Sequence, residues 1–177
     1  MKLKALILIL ALQTAWVIGT AAYQERVLQH GTTIVLETRL VDPRDMLRGD
    51  YVILSYPIND VPRSVFAPAP AGEVPHGTTV HVALTKRGQF YQVNRASLEA
   101  LTPDAGEVVI SGKSAYAWFP TNTPMVRVEY GLERYYVPEG TGRPSGKMTV
   151  EAAVAPSGHA LIRNVYVDGK LFDRKGK

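Results

Sequence analysis

The chain has 177 residues, enough for one domain with its own core, and its 46% hydrophobic content belongs to a folded protein. The formal charge is +4, but Lys2 and Lys4 precede the first apolar run; the remaining 18 basic residues face 16 acidic ones, so the body is nearly neutral and carries no signature of a nucleic-acid partner. With no cysteine, a disulfide framework, thiol catalysis and thiolate metal sites are excluded.

The first segment, MKLKALILILALQTAWVIGTAAY, opens on two lysines and then runs without charge through residues 5–22. Positive charge before the run and a polar body after it fit export, with the amino terminus inside. Two readings stay open. A signal peptide is cleavable after Ala21 or Ala22, where small residues allow it. A retained anchor uses the same run as one spanning helix: at 1.5 Å per residue it reaches ~27 Å, against ~30 Å of hydrocarbon. Trp16 and Tyr23 near the outer end suit an interfacial belt. The retained anchor is the favoured reading. A buried core helix is disfavoured because the run has no polar face. Residues 1–22 are thus the anchor or signal segment, and residues 23–177 an extracytoplasmic domain.

The body reads as strands. TTIVLETRLV (32–41) places Ile34, Leu36 and Leu40 at even spacing, and YVILSYPI follows, ended by Pro57. Between them, Asp42-Pro43 starts a tight turn, since Asp caps backbone amides and Pro suits a first helical position. Residues 59–77, with Pro62, Pro68, Pro70 and Pro75, show no sustained period and read as a long loop. TTVHVALTK (78–86) alternates, with Val80, Val82 and Leu84 on one face and His81 and Ala83 on the other. RGQFYQVN is its hairpin partner through a Lys86-Arg87-Gly88-Gln89 turn. RASLEALTPDAG predicts a short helix around residues 97–101, stopped by Pro103. EVVISGKSAYAWF and MVRVEYGLERYYVPEG are further strand segments, the second ending in a Gly-Pro loop at 138–146. KMTVEAAVA and HALIRNVYVDGKLF form a last hairpin around PSG, with Asp168-Gly169 as another turn. Eight or nine strands and little helix make a mainly β fold, a single barrel-like or sandwich domain.

Familiar chemistry is missing. No H-E-x-x-H, G-x-S-x-G or S-x-x-K occurs. His30, His76, His81 and His159 are far apart and read as strand or surface side chains, so no metal site and no cofactor is expected. GEVVISGKS (106–114) falls short of a phosphate loop, because five residues separate Gly106 from Gly112 where four are required. The adhesion tripeptide RGD at 48–50 is short enough to arise by chance.

Two motifs stand out. The first is Gly49-Asp50-Tyr51-x-x-Leu54-x-Tyr56. Strand alternation puts Tyr51, Ile53 and Ser55 on one face and Val52, Leu54 and Tyr56 on the other, so the tyrosines form no common shelf. Gly49 permits a special backbone angle, and Asp50 accepts from turn amides or pairs with Arg44 or Arg48. The simplest reading is a braced strand entrance. Recognition by Arg44, Arg48 and Tyr51 is the functional alternative, and catalysis by Asp45 or Asp50 ranks below both. The second motif is YGLERYYVPEGTGR, residues 130–143. Alternation separates Glu133 and Tyr135 from Arg134 and Tyr136, and Gly131 precedes them. Pro138, Glu139 and Gly140 open a tight loop. A strand Glu or Arg needs a partner if buried, and Glu133 is a candidate partner for Arg44 or Arg48.

These residues resemble the bacterial family named after its GDYxxLxY motif. The likeness covers the anchor, VDPRDMLRGDYVILSY and YGLERYYVPEG, and so runs across most of the chain. It implies a membrane-anchored bacterial protein, whose relatives often accompany or are fused to multi-pass membrane proteins. It supplies no reaction and no catalytic residues. RGDYVIL and YYVPEG are also similar to phrases of signal peptidases, which share an anchor and a β-rich external domain. The nucleophilic serine expected before methionine is here Asp45 before Met46, and Lys86 and Lys113 are only loose candidates for the base. A shared fold alone does not carry the activity.

The expectation is a non-enzymatic accessory domain in the periplasm, held at the inner membrane and partnered by a multi-pass integral membrane protein. Arg44, Arg48, Tyr51 and Glu139 are its candidate contacts, shaped by Gly49, Asp50 and Gly140. A divergent cell-envelope hydrolase and a small-ligand or glycan binder are the alternatives.

Overall fold

A computed structural model describes residues 2–39, 51–115, 125–136 and 146–172. Helix α1 spans Lys2–His30. Its Leu3–His30 stretch has a mean hydropathy of 2.0 over its most apolar window, long and apolar enough to cross a membrane. The helix continues without a break past residue 22.

Among the described residues, eleven strands follow: β1 (Thr32–Glu37), β2 (Tyr51–Ile53), β3 (Asp60–Pro62), β4 (Thr79–Arg87), β5 (Phe90–Ser97), β6 (Glu107–Ser114), β7 (Met125–Glu129), β8 (Arg134–Tyr136), β9 (Met148–Val154), β10 (Ala160–Val167) and β11 (Lys170–Leu171). They form a four-stranded sheet β1-β9-β10-β11, a two-stranded sheet β2-β8 and a five-stranded sheet β3-β7-β6-β4-β5. The strand ladders among the described residues are antiparallel, consistent with short turns.

Alternation sets the core. Ile34 and Leu36 of β1 stand opposite Ala152 and Val150 of β9, and all four are buried. Val80, Val82 and Leu84 join Ile110 and Val128 from the larger sheet, while Val52, Leu54 and Tyr56 enter from the first motif. One core therefore draws on all three sheets, and the mainly β class holds. The Val52, Leu54 and Tyr56 face is buried while Ile53 is exposed, as period-2 alternation requires.

Three local expectations change. No helix forms at 97–101: Ser97 ends β5, and its Oγ accepts the Glu99 amide at 2.9 Å. That local bond offers the backbone an alternative to the helical ladder. The segment 59–77 is not all loop: Asp60–Pro62 pairs with β7 as an edge strand, and Phe66 is buried and bridges Ala96. Glu133 is not a strand residue; a turn containing Gly131 at φ 82 separates β7 from β8. These short pieces also lift the strand number above eight or nine.

Candidate functional site

The two sequence motifs meet in an interlock. Pro57 ends the extended run and opens a 3-10 turn at Pro57–Asn59, which turns the chain so that Asn59 is fully buried. Asn59 Oδ1 accepts the Tyr56 amide at 2.7 Å; its Nδ2 donates to the Val128 carbonyl at 2.8 Å and to Glu133 Oε1 at 3.0 Å. The Tyr130 amide also donates to Glu133 Oε1, at 2.8 Å, and the Gly131 amide to Oε2 at 2.9 Å. Glu133 thus does for its turn what a capping carboxylate does for a helix start.

Two tyrosines close the interlock reciprocally. Tyr56 Oη donates to the Leu132 carbonyl and Tyr130 Oη to the Ile58 carbonyl, each at 2.8 Å. Each phenol reaches across and satisfies a carbonyl in the other's segment. Burial, with the Glu133 carboxylate nearby, pushes both hydroxyls up, so they are neutral donors. The Leu54 amide adds a bond to the Glu133 carbonyl at 2.8 Å. Next to the interlock, Asp60 accepts from Arg127 Nη1 at 2.9 Å and pairs with Arg39. Burial pushes the Asp60 carboxyl up, but these two guanidinium groups outweigh it and hold it below its usual range.

Two clefts flank this region. One, of about 330 Å³, lies where Arg134, Tyr135 and Tyr136 face Arg163, Asn164 and Phe172. Tyr135 and Phe172 meet edge-on at 6.4 Å there. The other, of about 310 Å³, runs between β1 and β5, floored by Tyr56 and Ile58. Among the described residues no group of three or more His, Asp or Glu side chains is placed to hold a metal ion.

Of the residues singled out in the sequence, Leu54, Tyr56, Gly131, Glu133, Arg134 and Tyr135 come together here. Tyr51 joins through its backbone, opposite Tyr136 in the β2–β8 pair. Asp42, Pro43, Arg44, Asp45, Arg48, Gly49 and Asp50 lie outside the described residues, as do Pro138, Glu139 and Gly140. The expected pairing of Glu133 with Arg44 or Arg48 falls outside them too. Among the described residues, both Glu133 oxygens accept amide hydrogens, so this carboxylate serves as a structural acceptor. Sequence reasoning missed Asn59, and took Tyr130 only as the start of the second motif, without a role. A buried Asn after Tyr-Pro-Ile has a weak signal, the tendency of Asn to bond backbone two or three residues away.

A third feature joins helix to domain. Val27, in the last turns of α1, is buried with Ala153 and Ala155, and the half-buried Leu161 packs against them. Gly31 stops the helix: its amide donates to the Val27 carbonyl at 2.8 Å, and a Cβ there would sit 2.6 Å from that oxygen. The backbone of Val154 lies 3.1 Å from the same position. Only a glycine brings β1 and β9 this close to the helix end.

A family model described as GDYXXLXY protein matches residues 13–165. No curated protein and no solved structure matches the chain. The family match begins inside α1 and ends inside β10, so the helix junction and the interlock both fall within it. The chain therefore belongs to the GDYXXLXY family.

Proposed function

We propose that this protein is a periplasmic β domain anchored in the bacterial inner membrane, acting without catalysis as an accessory partner of a multi-pass integral membrane protein. The observation that carries this reading is α1. Its most apolar window is entirely unburied, and exposed apolar surface of that extent needs lipid or other helices around it. The charge of Lys2 and Lys4 ahead of the run favours an inside amino terminus and an external body. Two motif residues support the non-catalytic part: Tyr56 is spent on a backbone carbonyl, and Glu133 on backbone amides and Asn59. Arg44, Arg48, Tyr51 and Glu139 remain the candidate partner contacts.

Purification from membranes in mild detergent, anchor intact, tests the reading. Co-recovery of one multi-span protein in fixed ratio is expected; recovery of the protein alone overturns the partnership. The mass of the mature chain tests the anchor, since cleavage after Ala21 or Ala22 removes it. A second reading, small-ligand or glycan binding, is favoured by the 330 Å³ cleft, whose aromatic and guanidinium lining suits a sugar ring. Titration with envelope glycans, followed through Tyr135→Ala, distinguishes it.

A further inference from the structure

We infer that the β9–β10 turn, residues 156–159, rests in the lipid headgroup layer, so that the β domain lies on the membrane at a fixed height rather than swinging from a tether. This rests on the retained anchor proposed above. The uncharged run of residues 5–22 covers ~27 Å of helix, nearly the whole ~30 Å of hydrocarbon. Tyr23 follows at once, where an amphipathic ring belongs. Four further residues bring the helix to Val27, a rise of ~6 Å, while the headgroup layer is itself ~5–8 Å deep on each side. Any part of the domain that reaches Tyr23 therefore lies within that layer.

The turn reaches it. Ser157 Oγ is 3.2 Å from Tyr23 Oη, and the His159 ring stacks on the Tyr23 ring at 6.3 Å and 26°. Nor is the turn a loose flap. The Ala155 amide bonds the His159 carbonyl at 2.8 Å, and the Gly158 amide bonds the Ala155 carbonyl at 2.9 Å. On its other side, the Gly158 carbonyl accepts the Ser111 amide of β6 at 2.9 Å. Gly158 has φ 83, and a Cβ there would collide with Ser111 Oγ, so the turn is pressed onto the five-stranded sheet. It is clamped between α1 and that sheet.

The helix end is fixed as well. Arg163 donates to the Leu28 carbonyl and, at 2.6 Å, to Thr33 Oγ1, bridging the last helical turn and β1. A cation on a helix C-terminal carbonyl is also favoured by the helix dipole. With Val27 buried and Gly31 in contact with Val154, no hinge is left between residues 23 and 33. The partner this surface fits is a phospholipid headgroup layer, met by the polar side chains of Ser157 and His159.

The absence of cysteine permits a direct test in the full chain reconstituted in vesicles. Single cysteines at Gly19, Ser157 and Gln89, all exposed, carry a fluorophore. Gln89 is the distant reference. Seven residues of β9, ~23 Å of strand, separate the turn from Lys147, whose ammonium lies 5.5 Å over the ring of Phe90, beside Gln89. A nitroxide on the acyl chains should quench Gly19→Cys. A nitroxide on the headgroup should quench Ser157→Cys several-fold more than Gln89→Cys. Quenching at Gly19 with none at Ser157 overturns the inference while leaving the anchor intact. Equal headgroup quenching at Ser157 and Gln89 marks a swinging domain and also overturns it. No quenching at Gly19 removes the anchor and the inference together.

Discussion

The interlock of Tyr56 and Tyr130 and the junction of α1 with the β9–β10 hairpin hold the chain together by opposite means. The interlock is deep: two buried aromatic rings, a fully buried Asn and a carboxylate, with every polar reach answered. The junction is thin: one buried valine, a few alanines, a glycine contact and exposed polar bonds. The first contributes stability and uniqueness, because a satisfied polar network in a core is costly to break. The second is the smaller contact, yet it sets the angle between α1 and the β domain. Of the residues that announce the family, Leu54 and Tyr56 are thus architectural, and the geometry behind the proposed membrane placement sits in inconspicuous small residues.

If that contrast is right, the largest loss comes from Asn59→Ala. It strands the Tyr56 amide and the Val128 carbonyl in the core, at roughly 1–3 kcal/mol each, so about 3 kcal/mol in denaturant unfolding is expected. A loss no larger than that of Gly31→Ala, roughly 2 kcal/mol, would make the interlock no deeper than the junction. Gly31→Ala comes next, at roughly 2 kcal/mol, since its methyl group would press on the Val27 carbonyl and the Val154 backbone. Its more telling readout is the quenching of a Ser157→Cys label, which should fall as the helix end is pushed off β9. Tyr56→Phe and Tyr130→Phe each remove one donor to a buried carbonyl, and about 1–1.5 kcal/mol each is expected. The double variant should depart from additivity by at least ~0.5 kcal/mol, because both phenols brace the same pair of segments.

Much of this fold was legible. Ile34 and Leu36, and Val80, Val82 and Leu84, announced their buried faces by alternation alone, and the same rule separated Ile53 from Val52, Leu54 and Tyr56. The interlock was only half legible. Tyr56 and Glu133 were visible as motif residues, but Glu133 was assigned to a strand, and its place in a turn was not visible. Two of its donors, Tyr130 and Gly131, are near it in sequence, and the positive φ of Gly131 folds them back onto the carboxylate. Asn59 was hidden because polar residues after Pro57 look like solvent-facing loop. The 97–101 helix failed for a related reason: a serine side chain bonded locally where propensity alone favoured a turn of helix. Alternation reports which face is buried; it does not report which side chain will close a turn.

The smallest effects are those of pH, and they separate the regions by the direction in which each fails. The interlock tyrosines have hydroxyls pushed up by burial and by Glu133, so folding favours their neutral form. Their contribution is complete below the ordinary tyrosine range of about 10 and is lost as pH rises above it, when unfolded chains ionise more readily. Tyr56→Phe should make that alkaline decline shallower. The larger acid loss comes from elsewhere, the β5–β6 corner, with Asp60 beside the interlock adding to it in the same direction. There Arg95 donates to Glu107 at 2.7 Å through Nη2, and the Asp104 amide and Asn94 add bonds of 2.9 and 2.7 Å. The Arg95 bond outweighs the burial that would push Glu107 up and holds it at about 2. A lowered folded value means the ionised form is the one the fold stabilises. The contribution is therefore complete above the unfolded glutamate range of about 4.3 and fades as pH falls from there towards about 2. Unfolding free energy measured by denaturant between those limits should fall with acidity, and Glu107→Gln should flatten the slope. A slope unchanged by Glu107→Gln, but flattened by Asp60→Asn, would move the acid-sensitive contact from that corner to the Arg39–Asp60–Arg127 cluster beside the interlock, and the two regions would then share their failure in acid.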